Sequence, residues 1–280
     1  MGDNAAQISD WNGVVGERWA QLQSDLDPMV APFGAAALQA AAFARGESAI
    51  DVGCGCGDTA LQLARTAGPA GAVLGIDVSA PMLAVARQRS AAAALSHLQF
   101  QQADAASAAL PGGRDLVYSR FGVMFFDAPA VAFTNLRRAL RPGGRMAFCC
   151  WRSPAENPWA MLPAQAVRSA LSLPEPPADT HAPGPFAFAA RDYLEGILRA
   201  AGFSGIDIQP FDAPCFLGDT LEHAVSTATR VGPAARLVRE QPPQRQPIAV
   251  QSVRRALQAF DLGNGIAPPA AVWIVTARSP

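Results

Sequence analysis

Three glycines that alternate with single residues follow a short apolar run in the first quarter of the chain. The run covers residues 48–52, contains Asp51, and leads into Gly53, Gly55 and Gly57. A glycine turn between a strand and a helix lets a ligand approach the backbone and points helix N–H groups at it. The turn is therefore a candidate ligand-binding loop, although purely structural glycine turns are also common.

The spacing of these glycines does not fit two familiar phosphate-binding loops. A dinucleotide-binding turn of the form G-x-G-x-x-G would need a glycine where Asp58 stands. A P-loop needs a lysine after its last glycine, and the chain contains no lysine. Both phosphate-binding patterns therefore fail.

Aspartates stand at the ends of the next two predicted strands. Asp77 follows the strand 72–76, near the offset of about 20 residues at which an acidic residue reaches ribose hydroxyls. A carboxylate suits that position because it accepts two hydroxyl donors. Asp104 follows the strand 98–102, where a side-chain acceptor can face an adenine amino group. The alternatives are a helix cap for Asp77 and an ordinary turn for Asp104.

The end of the predicted fourth strand supplies further candidates. Ser119, Arg120 and Phe121 leave this strand at the switch point where open α/β sheets bind ligands. Arg120 either binds a substrate carboxylate or pairs with an acid such as Glu17, since a guanidinium suits both uses. The apolar run 121–126 either walls a hydrophobic substrate pocket or packs in the core.

Two histidines complete the catalytic candidates, which also include Arg120. His181 lies in a proline-rich loop and His223 in a predicted helix. Both are nominated as general bases, with a surface position as the alternative for each.

Strands and helices alternate through the first half of the chain, which indicates crossover connections and a mostly parallel sheet. The first segment, to Arg45, reads as helices that Pro28 and Pro32 interrupt. We expect strands at 48–52, 72–76, 98–102, 115–119 and 145–151, and helices from Asp58 or Thr59 to 67, from Ser79 to 93, and at 128–140.

The alternation ends after Trp151. We expect helices at 158–171, 190–201, 219–231 and 246–262, a proline-rich loop at 174–185, and strands at 205–210 and 270–277. Asp219 and Glu222 can form a capping box at the start of the third of these helices. The late helices are expected to lie over one end of the sheet as a lid.

Taken in order, these motifs resemble those of class I methyltransferases that use S-adenosyl-L-methionine (SAM). The run 51–57, Asp-Val-Gly-Cys-Gly-Cys-Gly, resembles their motif I, Asp77 their acidic second-strand residue, and 102–104 their adenine-side motif. The runs 115–119 and 140–145 resemble the fourth-strand motif and the turn before the fifth strand. The resemblance covers about residues 11–151 and is closest to quinone-biosynthesis-like and other small-molecule methyltransferases.

The resemblance implies a role for each matched residue. The methionine part of SAM would lie on the glycine turn, the ribose on Asp77, and the adenine between the second and third strand ends. Trp11 and Trp19 would lie in an N-terminal lid near the sulfonium, where an aromatic face suits a cation. The expected cofactor-binding residues are Trp11, Trp19, Asp51, Gly53, Cys54, Gly55, Asp77, Val78, Met82, Ala103, Asp104, Ala105, Ser119 and Phe121.

The resemblance also implies the fold class. We expect a Rossmann-like, doubly wound α/β domain with a mostly parallel seven-stranded sheet, one antiparallel strand and helical lid insertions. The expected divisions are an N-terminal helical lid at 1–45, the SAM-binding core at 46–151, an insertion at 152–190, a core helix and strand at 191–211, a lid insertion at 212–268 and the antiparallel strand at 269–280.

Composition narrows the function classes. The 280 residues carry a formal net charge of −1 and no dense basic run, which argues against nucleic-acid binding. No run reaches the roughly 18 apolar residues of a membrane helix, and the N-terminus lacks a secretory pattern. The five cysteines fit neither a disulfide framework nor a metal site, so we expect reduced thiols in a cytoplasmic protein.

The sequence thus predicts transfer of a methyl group from SAM to a small, apolar or aromatic acceptor by in-line displacement. The segment after the fourth strand lacks the Asn/Asp-Pro-Pro-Tyr/Phe pattern of enzymes that methylate nucleobase amines. A non-catalytic SAM-binding module and, further off, a nicotinamide-dependent oxidoreductase are the alternatives. The acceptor atom and the oligomeric state are left open.

Overall fold

The structure is a computed structural model that describes residues 5–175, 182–261 and 263–280. Its strands are β1 Ser48–Val52, β2 Ala72–Asp77, β3 Leu98–Gln102, β4 Arg114–Arg120, β5 Leu140–Trp151, β6 Ser204–Pro214 and β7 Pro269–Arg278. Its helices are α1 Ala5–Asn12, α2 Val14–Gln21, α3 Gln23–Ala41, α4 Asp58–Ala67, α5 Ala80–Ala92, α6 Pro129–Ala139, α7 Pro158–Leu171, α8 Arg191–Ala200, α9 Leu221–Ala228, α10 Pro233–Arg239 and α11 Gln246–Leu257.

All seven strands form one sheet in the order β3-β2-β1-β4-β5-β7-β6. The pairs from β3 to β5 are parallel, whereas β7 lies antiparallel between β5 and β6. This confirms the predicted doubly wound sheet and its one antiparallel strand. The chain changes direction across the sheet between β1 and β4, so the ends of both strands border one crevice.

Helices cover both faces of this sheet, and the strand sequences fit that burial. In β1 every residue after Ser48 is buried, as expected for a parallel strand that is covered on both sides. Helix α3 packs against β4, β5, β6 and β7, while α4 packs on β1 and β2. The carboxyl ends of β1, β2 and β4 are thereby held in fixed positions at one edge.

Helix α3 runs without interruption through Pro28 and Pro32, contrary to the prediction. A proline inside a helix costs about 3 kcal/mol because it removes a hydrogen bond and crowds the preceding turn. The helix buries Met29, Val30 and Phe33 among its apolar residues, and each such side chain contributes roughly 1.5–3 kcal/mol. Burial against the sheet therefore outweighs the local preference.

The predicted cap of α4 is also wrong. Its N-cap is Gly57, with φ of +84°, and neither Asp58 nor Thr59 caps the helix. The Asp58 carboxylate instead accepts a hydrogen bond from Arg120, and the Thr59 hydroxyl donates to Asp51. The local pattern assigned these two side chains to capping, but both bind residues outside the helix instead.

The helix predicted at 219–231 is shorter and begins differently. Thr220 is the N-cap of α9, and its hydroxyl accepts a hydrogen bond from the His223 backbone at 3.1 Å. The predicted capping box fails because Glu222 pairs with Arg254. A separate helix, α10, follows Gly232 and was not predicted. Among the described residues, no helix has the length and hydropathy to cross a bilayer.

Other boundaries differ by a few residues. Strand β5 begins at Leu140 rather than 145, and α11 ends at Leu257 before a short 3-10 turn at Gln258–Phe260. Ser79 is the N-cap of α5 by position, although its hydroxyl makes no capping bond. Part of the predicted loop 174–185 falls at 176–181, outside the described residues.

Candidate functional site

A deep cavity opens at the carboxyl ends of β1, β2 and β4. It encloses about 1480 Å³, counting the open water at its mouth. The loops after these strands form its floor, α1 to α3 border it, and the segments 185–186 and 231–233 add to its wall.

One end of the cavity is organised around the Asp77 carboxylate. Its Oδ2 accepts a hydrogen bond from the Gly55 backbone N–H at 2.8 Å, and its Oδ1 accepts one from Ser79 N–H at 2.8 Å. Burial raises the pKa of Asp77 above its ordinary value, and these backbone N–H groups lower it again in part. Each oxygen keeps further lone pairs, so the carboxylate can still accept two ligand hydroxyls.

The glycine turn lies against neighbouring backbone, which explains its residue types. Gly53 and Gly55 have φ of +66° and +53°, in the left-handed region. A Cβ on Gly53 would lie 2.7 Å from the Cα of Gly122, and one on Gly55 would lie 2.8 Å from Met82 Cε. The left-handed backbone therefore favours glycine at both positions, and at Gly53 the close approach of Gly122 also requires it.

The remaining residues predicted for the adenine side come together in the same place. Asp104 follows β3, and its Oδ1 accepts a hydrogen bond from the Ala106 backbone at 3.0 Å. Five predicted residues line the cavity, Met82 from the start of α5 and four from the loops after β2 and β3: Val78, Ala103, Asp104 and Ala105.

The side chain of Asn12 fastens the N-terminal helices to this end of the cavity. Its Nδ2 donates to the Val78 carbonyl at 2.7 Å and to the Ile8 carbonyl at 2.9 Å. Its Oδ1 accepts from Ala80 N–H at 3.0 Å and from Gln102 Nε2 at 3.1 Å. The sequence analysis assigned no role to Asn12. The feature that could have identified it is the break between α1 and α2, which falls at this residue.

Trp11 and Trp19 both line the cavity. Their ring centroids are 5.5 Å apart in an edge-to-face arrangement. Trp11 makes a second edge contact, at 5.4 Å, with Phe125. The two tryptophans and Phe125 thus form one aromatic cluster in the cavity wall.

Arg120 is paired with acids, which decides between its two predicted uses. Its Nη1 donates to Asp58 Oδ2 at 2.7 Å, and Asp27 Oδ1 lies 3.8 Å from its Nη2. Burial disfavours the charge of Arg120, but Asp58 and its other partners raise its pKa above the usual value. Its partner is thus Asp58 and not Glu17, and its charge is already neutralised.

Asp51 and Ser119 do not line the cavity, contrary to their expected place among the cofactor-binding residues. The Asp51 Oδ2 accepts from the Thr59 hydroxyl at 2.6 Å, its Oδ1 has no partner, and burial raises the pKa of Asp51 to about 7. The Ser119 hydroxyl donates to the Val52 carbonyl at 2.7 Å. Asp51 thus joins the end of β1 to the start of α4, and Ser119 joins the ends of β4 and β1.

Phe121 opens the aromatic end of the cavity. It has φ of +63°, a left-handed conformation that costs a non-glycine residue about 1–2 kcal/mol. Its ring stacks on Trp151 with centroids 4.2 Å apart, and Phe33 meets both rings edge-on. Trp159 packs beside Trp151. Trp151, Trp159 and Phe121 all line the cavity, so the wall at this end is aromatic.

Of the two predicted bases, His223 does not line this cavity. His223 lies half-buried on α9 outside the lining residues, with Nδ1 2.8 Å from Asp219 Oδ1 and Nε2 3.4 Å from Asp25 Oδ1. The His223 ring faces these two surface acids and not the cavity. The prediction that His223 lies at the catalytic site is therefore wrong. His181 lies outside the described residues.

Comparisons with known proteins agree with this geometry. A family model described as a methyltransferase domain matches residues 49–144. Nocamycin O-methyltransferase of Saccharothrix syringae is 35% identical over 56% of this chain, and the match spans only 59% of that enzyme. Demethylmenaquinone methyltransferase of Thermus thermophilus is 32% identical over 55% of this chain and 73% of its own length.

Solved structures match over most of the chain. A Bacillus halodurans protein titled a putative methyltransferase superposes with a TM-score of 0.57 at 17% identity, over 88% of this chain and 98% of that one. Phosphoethanolamine N-methyltransferase 2 of Haemonchus contortus, solved with S-adenosylhomocysteine (SAH), gives 0.54 at 18% identity, over 88% and 52%. At these identities the likeness concerns the fold.

Proposed function

The chain belongs to the class I SAM-dependent methyltransferases, and from that premise we propose that it methylates a small apolar or aromatic acceptor held at the aromatic end of the cavity. The acceptor is small because it must share one cavity with the cofactor. It is apolar because Phe121, Trp151 and Trp159 border the space that remains.

The single observation that carries this proposal is the link between Asp77 and the glycine turn. The Gly55 N–H to Asp77 hydrogen bond, at 2.8 Å, joins the acidic end of β2 to the glycine loop that would hold the amino-acid group of the ligand. One ligand with a ribose and an amino-acid tail can therefore touch both. The free lone pairs of Asp77 and the bare backbone of Gly53 fit such a ligand.

The other lining residues would contact different parts of the same ligand. Val78 and Met82 would pack on the adenine, and Asp104 with Ala103 and Ala105 would border its edge. Gly53, Cys54 and Gly55 would hold the methionine part. Trp11 and Trp19 would lie near the sulfonium, since aromatic faces attract cations.

Catalysis in this proposal depends on how the acceptor and the methyl group are positioned relative to each other. When bound, SAM supplies an activated methyl group on a positive sulfur. The residues of this chain orient the acceptor in line with that methyl group and keep water out through the aromatic wall and the N-terminal helices. Well-oriented reactants can gain about 7–11 kcal/mol in this way, so the proposal needs no covalent intermediate on the protein.

We further propose that the segments 1–45, 152–190 and 212–268 act as lids over the core. Residues from each of them line the cavity, including Trp19, Phe186 and Val231. The five cysteines are free and buried, which supports a cytoplasmic location. A net charge of −1 supports a small-molecule acceptor over nucleic acid.

Calorimetric titration tests the cofactor assignment. We expect SAM and SAH to bind with one site per chain and NAD to give no heat of binding. Saturable binding of NAD with none of SAM would reject the proposal in favour of the oxidoreductase alternative.

Turnover tests the reaction. The conversion of SAM to SAH should require an apolar aromatic acceptor, such as a phenol, a naphthol or a quinol, and should not occur with nucleosides. Tight SAM binding without turnover over a broad acceptor panel would favour the non-catalytic module.

A further inference from the structure

In the described part of the chain, the side-chain carboxylates that line the cavity are those of Asp27, Asp77 and Asp104. The proposed cofactor site uses Asp77 and Asp104, which leaves Asp27, on α3, without a role. We propose that Asp27 is a general base that takes the proton of an acceptor hydroxyl group while the oxygen of that group is methylated. This inference rests on the proposed methyl transfer, and it names the acceptor atom as a hydroxyl oxygen.

The other titratable side chains of the cavity wall are poor proton acceptors. No histidine among the described residues lines the cavity. Burial raises the pKa of the Cys56 thiol to about 12 and that of Cys54 well above its usual value, so both stay protonated at neutral pH. The Arg120 guanidinium has no acceptor atom. Asp27 is therefore the lining side chain that can take a proton without giving up a cofactor contact.

Neighbouring side chains hold one oxygen of Asp27 and leave the other available. Oδ2 accepts hydrogen bonds from Gln23 Nε2 at 2.5 Å and from Arg89 Nη2 at 2.9 Å. Arg89 Nη1 also donates to the Cys56 carbonyl at 2.8 Å, which fixes the carboxylate relative to the glycine turn. Within the described residues, Oδ1 accepts no hydrogen bond, and 20% of the side chain stays exposed. A carboxylate that is oriented in this way suits a base, because one oxygen remains free for the proton.

Helix α3 connects Asp27 with the aromatic end of the cavity. Val30 and Phe33 follow Asp27 at intervals of three residues, which places successive members on neighbouring parts of the helix surface. Asp27 and Val30 line the cavity, and Phe33 packs edge-on against Phe121 and Trp151. Six residues of helix span about 9 Å. An aromatic acceptor that lies against this cluster can therefore extend a hydroxyl group toward Asp27.

The charges around Asp27 keep it basic. Asp58 on α4, Arg89 on α5 and Arg120 at the end of β4 face it, together with the uncharged Cys56 thiol of the glycine turn. Burial and the negative charge of Asp58 raise the pKa of Asp27 above its usual value, and the two arginines lower it again in part. A carboxylate with a raised pKa is a stronger base than an ordinary one.

The proposed step balances without a further reactant. The acceptor oxygen forms a bond to the methyl carbon as the bond between that carbon and the sulfur breaks, and the electron pair of the broken bond stays on sulfur in SAH. The hydroxyl proton passes to Asp27 Oδ1 and leaves to water after the products dissociate. A base of this kind typically accelerates a reaction by about 10²–10⁴-fold.

The fluorescence of 1-naphthol tests this contact without turnover, because the excited state of 1-naphthol is a strong acid. Its emission is recorded when it is bound to the intact chain in saturating SAH. We expect the longer-wavelength emission of naphtholate, and a shift toward neutral naphthol emission in Asp27→Asn. Neutral emission from the unmodified chain would overturn the proposal, even if the variant failed to fold. Equal naphtholate emission from both proteins would mean that water takes the proton, and would also overturn it.

Turnover with two isosteric acceptors tests the chemical role. 1-Naphthalenethiol has the ring system of 1-naphthol but reacts as a thiolate, so it needs no base. Asp27→Asn should lower kcat for 1-naphthol by about 10²–10⁴-fold with little change in KM, and should lower kcat for the thiol far less. Equal losses of kcat for the two acceptors would contradict a general base.

Asp25→Asn is the matched control, because it removes the same charge from the same helix. Asp25 lies 3.4 Å from the His223 ring and does not line the cavity, so kcat for both acceptors should stay within about twofold. An equal loss of kcat in this control would reject a specific role of Asp27.

The neutral dye N-phenyl-1-naphthylamine, which has no hydroxyl group, checks the aromatic end in the same variants. It should bind Asp27→Asn as tightly as the unmodified chain. A loss of dye affinity as large as the loss of activity with 1-naphthol would mean that Asp27 only maintains the shape of the cavity, and would overturn the proposal.

Titration with SAH separates this inference from the proposed function. The affinity of Asp27→Asn for SAH should stay within about twofold of that of the unmodified chain. A large loss would assign Asp27 to the ammonium group of the cofactor and overturn the proposal. Failure of the unmodified chain to bind SAH would reject the proposed function itself. Binding of SAH without binding of 1-naphthol would overturn this inference alone.

Discussion

The two ends of the cavity are built in different ways. At the Asp77 end, neighbouring strand ends supply the contacts, and backbone N–H groups fix the key carboxylate. At the aromatic end, Phe33 from α3, Phe121 from the β4 loop, Trp151 from β5 and Trp159 from α7 meet in one cluster. The Asp77 end therefore depends on the strands of the core. The aromatic end depends on side chains from segments that are distant in sequence, so substitutions in those segments can alter it separately.

The largest effect is expected at the glycine turn. In Gly53→Ala, the left-handed backbone costs about 1–2 kcal/mol and the contact with Gly122 roughly 1–3 kcal/mol more. We therefore expect the free energy of unfolding to fall by about 2–5 kcal/mol, measured by urea denaturation, with loss of SAH binding.

Gly113→Ala is the matched control for that prediction. Gly113 has φ of +79°, but nothing lies within 4 Å of an added Cβ. It should lose only the backbone contribution of about 1–2 kcal/mol and should keep SAH binding. Equal losses in both variants would show that the turn is not specially constrained by its neighbour.

The second-largest effect is expected when the Asp77 carboxylate is removed. Asp77→Ala should weaken SAM binding by about 1–3 kcal/mol, because it removes charge-assisted hydrogen bonds to the ribose and frees the Gly55 and Ser79 N–H groups. Calorimetry with SAM measures the change, and circular dichroism checks that the fold is intact. An unchanged affinity in a folded variant would remove the ribose assignment.

A smaller effect is expected where the N-terminal helices are fastened. Asn12→Ala removes the hydrogen bonds to Val78, Ala80 and Gln102, and each is worth about 0.5–1.5 kcal/mol in net terms. SAH should therefore dissociate severalfold faster in stopped-flow measurements.

A double-mutant cycle tests the cause of that effect. Because Gln102 Nε2 donates to Asn12 Oδ1, the losses from Asn12→Ala and Gln102→Ala should not add. If the two losses in SAH binding added in full, Asn12 and Gln102 would act independently, and their hydrogen bond would not explain the effect.

The smallest effect on the cofactor is expected at the other end. Phe186 is half-buried and lines the cavity from the insertion after α7. Phe186→Ala should change SAH affinity by less than about twofold and weaken N-phenyl-1-naphthylamine severalfold, because it removes apolar contact area. A larger loss for SAH than for the dye would mean that the two ends are not independent.

Local sequence determined much of the fold and one end of the site. The strands 48–52 and 98–102 follow from the hydrophobic pattern and have the predicted bounds, and helix α4 ends at the predicted residue, before the Gly68-Pro69 signal. The positions of Gly53, Asp77 and Asp104 follow from the same strand ends. These features are predictable because each depends on residues that are close in sequence.

The side-chain partners required the tertiary structure. Thr59 and Asp58 have a local use as caps, but Asp51 and Arg120 bind them more favourably in the interior. Arg120 reaches Asp58 across 62 positions of the chain, and Asn12 reaches Gln102 across 90. No local pattern contains such pairs.

The sequence by itself therefore determined the order of the strands and of most helices, and the polar end of the cavity where we propose that the cofactor binds, because backbone periodicity and glycine geometry are local properties. Only the tertiary structure decided which acids neutralise Arg120, that α3 stays whole through Pro28 and Pro32, and which aromatic rings meet around Trp151. Those outcomes depend on burial and charge pairing between distant segments, and their free energies exceed the local preferences that the sequence displays.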